Sequence, residues 1–320
     1  MDKKILVSIE GLSQSHRERI VSAATKNGYE VFFSQDKAEA EALARDAEII
    51  FSFLAELSLN APKLRWMCTP SAGINHFVAL GNFPVDRAML SNSSGAYGLT
   101  IAEHIVMVML SLLRRADDYA EIVNRREWRR DLDIQSIYGS RITMLGTGDI
   151  GTEAVKRLRA FGPKSINGVN RSGRNPQDLY DKIVTIEHLD DILPETDILV
   201  MSLPSTPDTH HIMNEHRFSL LPEKAVIINV GRGNAIDEKS LLPMLQSGRL
   251  RAALDVFEQE PLPVDSPLWD CPNLLITPHA SGNTTLPHTL DRIVEMFLED
   301  FERYCTGKPL LRQVNLNRGY

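Results

Sequence analysis

Short apolar runs alternate along this chain with longer amphipathic stretches. In its first part, residues 5–9, 30–33, 48–53 and 65–68 are compact apolar runs with the character of strands. Between them, 17–26 and 39–45 carry apolar residues at helical spacing. Short strands joined by crossover helices predict a small open α/β sheet with parallel strands. The small-residue stretch 91–100, SNSSGAYGLT, marks a crossing between domains, and one long helix is predicted over 101–125. Strand-like runs then recur at 142–145, 165–169, 183–186, 198–203, 225–230, 252–257 and 274–277, each followed by glycine, proline, asparagine or other polar residues. A last helix, over 288–304, is expected to return to the first domain.

The run ending at Leu145 leads directly into Gly146-Thr147-Gly148-Asp149-Ile150-Gly151, with a helical pattern at 153–161. Strand, tight glycine turn and helix start form the order that a dinucleotide site requires. Gly146 permits the turn, Gly148 lets the backbone approach a pyrophosphate, and Gly151 lets helix pack on strand. Amide groups at the helix start hold phosphate charge. Thr147, Asp149 and Ile150 belong to the same expected cofactor contact. The predicted architecture is a Rossmann-type dinucleotide-binding domain, residues 98–287, inserted into a smaller flavodoxin-like α/β substrate domain made of 1–97 and 288–320.

The end of the second strand of such a domain selects the cofactor, because a carboxylate there binds the ribose hydroxyls and repels a 2′-phosphate. Here Val169 is followed by Asn170, Arg171, Ser172, Gly173 and Arg174, with no acid. A guanidinium beside a hydroxyl suits a phosphate dianion through charge-assisted, bidentate bonds. NADP(H) is therefore expected to be preferred, with NAD(H) usable. The plainer alternative is a polar surface turn with solvated arginines.

Composition narrows the class. The 320 residues suffice for two domains, and a net charge of −7 gives no sign of a nucleic-acid surface. Arg125-Arg126 and Arg129-Arg130 read as a solvated helix face or a subunit contact. Three separated cysteines without a CxxC spacing indicate neither a disulfide framework nor a metal site. With no signal-peptide layout and no membrane-length apolar run, a cytoplasmic protein is expected.

Three motifs follow predicted strands: NVGRGNAID with Val230 and Arg232, DVFEQEPL with Asp255 and Glu260, and TPHASG with His279 and Gly282. Reduction of a 2-oxo acid needs a cation to hold the carboxylate and polarise the carbonyl, and an acid to protonate the alkoxide. The planar fork of Arg232 fits the first role. His279 fits the second, because imidazole titrates near neutrality. Glu260 would bond the far ring nitrogen, orient the ring and favour its charged form. Singly, each has a structural alternative; together, on successive strands after a dinucleotide turn, they point to catalysis.

With these motifs in this order, the sequence resembles the D-isomer-specific 2-hydroxyacid dehydrogenase family over essentially its whole length. The resemblance implies an Arg232/Glu260/His279 catalytic set, Asp255 near the nicotinamide amide, and Val230 and Gly282 at the cofactor. It also implies a carboxylate-binding loop in PSAGINH at Ser71, Ala72 and Gly73, and a two-domain homodimer that closes over its cleft. The cofactor turn looks most like that of NADPH-dependent glyoxylate/hydroxypyruvate reductases. Residues 51–54, FSFL, lack the arginine expected for a phosphorylated substrate, since a buried phosphate without a cation is costly. Phe53, Leu54, Tyr97 and His288 are candidates for shaping the pocket, although Tyr97 could equally pack at the hinge. Glyoxylate, hydroxypyruvate and branched or aromatic 2-oxo acids all fit. The rivals are NAD-linked D-3-phosphoglycerate oxidation and a dinucleotide-sensing corepressor-like protein, and fold alone does not separate them.

Overall fold

The computed structural model describes residues 3–314 and 316. The chain forms two compact units, Met1–Tyr97 with Asn283–Tyr320, and Gly98–Gly282. The second crossing thus lies at Asn283, ahead of the residue 288 read from the sequence, because the chain leaves the second unit before its last helix begins.

The first unit opens with β1 (Lys3–Ser8), α1 (Gln14–Lys26), β2 (Tyr29–Phe33), α2 (Lys37–Ala44), β3 (Ile49–Ser52), β4 (Trp66–Cys68), α3 (Asn75–Leu80) and β5 (Met89–Ser91). Its strands are parallel in the order β2-β1-β3-β4-β5, the flavodoxin-like arrangement. Helix α1 begins before residue 17, where its apolar spacing starts. Ser13 caps it, accepting the His16 amide while His16 Nδ1 accepts the Ser13 amide. Strand β5 is too short to leave a periodic signal, and its place comes from pairing with β4.

The second unit holds α4 (Gly98–Arg114), α5 (Ala116–Asn124), β6 (Arg141–Leu145), α6 (Asp149–Leu158), β7 (Ser165–Val169), β8 (Lys182–Val184), α7 (Leu189–Ile192), β9 (Ile198–Met201), α8 (Glu215–Leu220), β10 (Ala225–Asn229), α9 (Glu238–Gln246), β11 (Leu250–Leu254) and β12 (Leu274–Ile276). The single helix predicted over 101–125 is broken at Arg115, which takes a left-handed φ of 57°. The buried stripe of α4 ends at Leu113, so burial no longer holds the chain on course, and an Arg115–Asp118 ion pair secures the turn. Strand β11 starts earlier than residue 252, because the polar Arg251 is buried inside it and bonds the Leu112 carbonyl.

All seven strands of this unit are parallel in the order β12-β11-β10-β9-β6-β7-β8. This is the Rossmann order extended by one strand, and the chain reverses direction across the sheet between β6 and β9. Ligands of such sheets bind at the carboxyl ends of strands beside that reversal.

The last helix, α10 (Pro287–Cys305), belongs to the first unit. Its buried residues Leu290, Ile293, Val294, Phe297 and Phe301 repeat at helical spacing. Phe297 stacks on Phe51 at 4.2 Å and on Trp66 at 5.3 Å. Burying one such ring contributes roughly 1.5–3 kcal/mol. Among the described residues, no helix is long and apolar enough to cross a membrane.

Candidate active site

The glycine turn sits where the second sheet reverses. Gly146 has a φ of 107°, and a Cβ there would fall 2.8 Å from Ser202 Oγ, at the end of β9. Only glycine fits both the backbone angle and the approach. Gly148 precedes the first residue of α6, and a Cβ there would meet nothing within 4 Å. That position is open on the protein side, as a cradle for a phosphate group must be. Thr147, Asp149, Ile150 and Gly151 complete the turn and the first turn of α6.

At the end of β7, Asn170 shapes the next loop. Its Oδ1 accepts the Gly173 amide at 2.7 Å and the Ser172 amide at 3.0 Å. Its Nδ2 donates to Thr147 Oγ1 at 2.8 Å and to the Arg174 carbonyl at 2.9 Å. The loop is therefore tied to the glycine turn, while Arg171, Ser172 and Arg174 stand exposed. These residues fit a dinucleotide carrying a 2′-phosphate: an open glycine cradle, a helix N-terminus and two cations with a hydroxyl at the second strand's end.

Arg232, Glu260 and His279 lie on the loops after β10, β11 and β12, which are neighbours in the sheet. His279 Nδ1 donates to Glu260 Oε2 at 2.7 Å, and Glu260 Oε1 accepts the Phe257 amide at 3.0 Å. The half-buried Arg232 guanidinium is near enough to feel the Glu260 charge. Burial lowers its pKa, and Glu260 opposes that shift. It remains cationic across the working pH range.

Local contacts fix each loop. Asn229, fully buried at the end of β10, accepts the Gly231 amide at 3.0 Å and donates to the Arg232 carbonyl at 2.9 Å. A Cβ on Gly233 would stand 1.9 Å from the Phe257 carbonyl carbon, so only glycine lets these two loops touch. Glu238 and Glu258 exchange carboxylate-to-amide bonds of 2.8 and 3.1 Å, which anchors the segment before Glu260. Burial, with the charges of Glu258 and Glu260, raises the Glu238 pKa. Val230 is buried beneath the Arg232 loop, its amide bonded to the Met201 carbonyl, and Gly282 is the last residue of the unit.

Asp255 directly follows β11 and is buried beside the loop after β12. Its buried carboxylate accepts the Thr277 hydroxyl at 2.6 Å, the Ala280 amide at 2.9 Å and the Ser281 amide at 3.1 Å. These bonds commit it to the loop that carries His279. Neither Asn229 nor the Asp255 loop contacts were legible beforehand. The one available sign was a polar residue closing an otherwise apolar strand.

In the first unit, the carbonyls of Ser71, Ala72 and Gly73 each accept a bond, from the Ser93 amide, Asn92 Nδ2 and Ser71 Oγ respectively. This holds the loop after β4 in one conformation. Tyr97 is buried and donates to the Pro70 carbonyl at 2.8 Å, so it braces that loop instead of lining a pocket. Leu54 packs against the unit's own core, whereas Phe53 and His288 are exposed.

Residues 106–281 match the family model of the D-isomer specific 2-hydroxyacid dehydrogenase NAD-binding domain. The glyoxylate/hydroxypyruvate reductase B of Citrobacter koseri is 33% identical over 258 residues, covering 78% of this chain and 78% of that protein. A D-isomer specific 2-hydroxyacid dehydrogenase family protein from Aeromonas salmonicida superposes with a TM-score of 0.87 at 33% identity, over 99% of this chain and 100% of the other. The NADPH-dependent glyoxylate/hydroxypyruvate reductase of Sinorhizobium meliloti, solved with NADP and sulfate, superposes with a TM-score of 0.82 at 29% identity over the full length of both chains. With its nucleotide fold, its glycine turn and these matches, the chain belongs to the D-isomer specific 2-hydroxyacid dehydrogenase family and is an NAD(P)-dependent oxidoreductase of 2-hydroxy acids.

Proposed function

We propose that this enzyme reduces a small, unphosphorylated 2-oxo acid to the D-2-hydroxy acid, with NADPH preferred over NADH. The observation that carries the reading is the Glu260–His279 pair at 2.7 Å, with Arg232 within its electrostatic reach, on adjacent strand ends of a dinucleotide fold. Gly146, Thr147, Gly148, Asp149, Ile150 and Gly151 receive the pyrophosphate at the start of α6. Asn170, Arg171 and Ser172 receive the 2′-phosphate, and Val230, Asp255 and Gly282 border the nicotinamide half. When bound, the reduced nicotinamide supplies the hydride.

The chain's own residues do the rest. Arg232 holds the substrate carboxylate and polarises the 2-oxo group, since its fork presents parallel donors to both. In the first unit, the amides of Ala72 and Gly73 are donors suited to a carboxylate, in a loop that the Ser71 hydroxyl braces through the Gly73 carbonyl. Glu260 accepts at Nδ1 of His279, which leaves the Nε2 proton for the alkoxide oxygen. Reduction thus consumes one hydride and one proton and leaves the 2-hydroxy acid.

The absence of a carboxylate at 170–174 and the arginines there support NADPH. The lack of a cation at 51–54 supports an unphosphorylated substrate. A cytoplasmic setting agrees with the free thiols of Cys68, Cys271 and Cys305. The homodimer we propose would use the end of α5 and the segment after it, where Trp128 is 97% exposed and Val123 and Tyr138 also stand out from the surface. Such apolar exposure marks an interaction face.

The test is oxidation of NADPH and of NADH against a panel of 2-oxo acids that includes glyoxylate, hydroxypyruvate, branched and aromatic acids, and 3-phosphohydroxypyruvate. Turnover of unphosphorylated acids with NADPH is expected. A roughly tenfold kcat/KM preference for NADH would overturn the cofactor reading. A preference for the phosphorylated acid would overturn the substrate reading.

A further inference from the structure

We propose that His104 is a positioning residue for this reaction: through the Thr277 hydroxyl and the Asp255 carboxylate, it holds the loop that carries His279. The inference rests on the reading of His279 as the proton donor. His104 projects from α4, its side chain 12% exposed, with Nε2 at 3.2 Å from Thr277 Oγ1 and 4.0 Å from Asp255 Oδ1.

Counting protons fixes the direction of this chain of bonds. Asp255 as a carboxylate only accepts, so the single Thr277 hydroxyl proton goes to Asp255 Oδ1 at 2.6 Å. Thr277 Oγ1 can then only accept from His104, and His104 must carry its proton on Nε2. Burial lowers the pKa of His104, against a smaller opposing effect of the Asp255 charge, so the neutral ring with Nε2–H is the working form.

The loop needs such support. His279 sits at a φ of 51°, a left-handed conformation that side chains other than glycine adopt uncommonly. Its amide donates to the Asp255 carbonyl at 2.8 Å and to the Thr277 carbonyl at 3.0 Å. The two following amides, of Ala280 and Ser281, bind the Asp255 carboxylate. Asp255 therefore clamps His279 from both sides, and Thr277 fixes the orientation of that carboxylate. His104, in turn, fixes the rotation of the hydroxyl. The imidazole must reach Glu260 and substrate together, and misplacement of a catalytic group by about 1 Å costs on the order of a hundredfold in rate.

The test compares His104→Leu, His104→Gln, Thr277→Val and His279→Gln by steady-state kinetics with NADPH, after folding is checked by thermal unfolding. Losing one buried donor should lower kcat roughly tenfold in His104→Leu and Thr277→Val, with the KM for NADPH within about twofold of wild type. Glutamine retains an N–H at the position of Nε2, and His104→Gln should keep kcat within about twofold. Folded His104→Leu and Thr277→Val enzymes with wild-type kcat would overturn the proposal. So would a His104→Gln enzyme as impaired as His104→Leu, since the site would then serve packing alone. If His104→Leu fails to fold, the nearly isosteric Thr277→Val decides. His279→Gln separates the two readings: its retained activity would remove the acid assignment itself. An inactive His279→Gln beside normal His104→Leu and Thr277→Val would sink only the positioning role.

Discussion

Glu260 Oε2 accepts from Nδ1 of His279 at 2.7 Å across loops that leave the neighbouring strands β11 and β12. The two residues are 19 positions apart along the chain, and parallel strands deliver both to the same end of the sheet. The pair aligns the ring and places an anion where an imidazolium benefits from it.

Glu260→Gln keeps a hydrogen-bonding group and removes that anion. Reductive kcat should therefore fall roughly tenfold or more, with the KM for NADPH within about twofold of wild type. Steady-state kinetics with both substrates varied measures this. An unchanged kcat would show that Glu260 orients the ring without acting on its charge.

Arg232→Lys retains a positive charge and loses the planar fork. We expect kcat/KM for the 2-oxo acid to fall roughly a hundredfold or more, with the KM for NADPH nearly constant. Steady-state kinetics with both substrates varied would reveal it. A loss confined to the NADPH KM would instead place Arg232 at the cofactor.

For cofactor choice, Arg171→Ala should raise the KM for NADPH and leave that for NADH nearly unchanged. Adding Asn170→Asp should carry the preference to NADH, because a carboxylate repels the 2′-phosphate. The ratio of kcat/KM values for the two coenzymes reports the change. An unaltered ratio in the double variant would remove the 170–174 loop from the cofactor site.

Stability should show the buried His104. Its folded pKa lies below the usual histidine value of 6.5, so the unfolded chain takes up the proton first as pH falls. The stability it contributes is complete above about 6.5 and is lost as pH drops through the lower folded value. Melting temperatures from pH 8 to pH 5 should therefore fall further for wild type than for His104→Gln. Equal falls would mean that His104 titrates alike in both states.

Trp128→Glu should dissociate the proposed dimer, since a charge at the centre of an apolar contact is costly to desolvate. Light scattering on the eluting protein gives the mass directly. A variant that remains dimeric would move the interface elsewhere, and a monomeric wild type would remove it.

Much of the framework was legible along the chain, because local chemistry determines it. Apolar run lengths identified most strands, and the glycine turn after Leu145 announced the cofactor end. The motifs around Arg232, Glu260 and His279 named the chemistry and the family. Periodicity could not show the break at Arg115, since arginine and alanine are good helix formers and the end of burial turned the chain. The short strand β5 had no period to read. The partners of Asp255, Thr277 and His104 come from β11, β12 and α4, which only the parallel sheet and its covering helix bring together. Sequence determined which functional groups are available; tertiary structure decided which proton each group gives, because hydrogen-bond direction depends on neighbours distant along the chain.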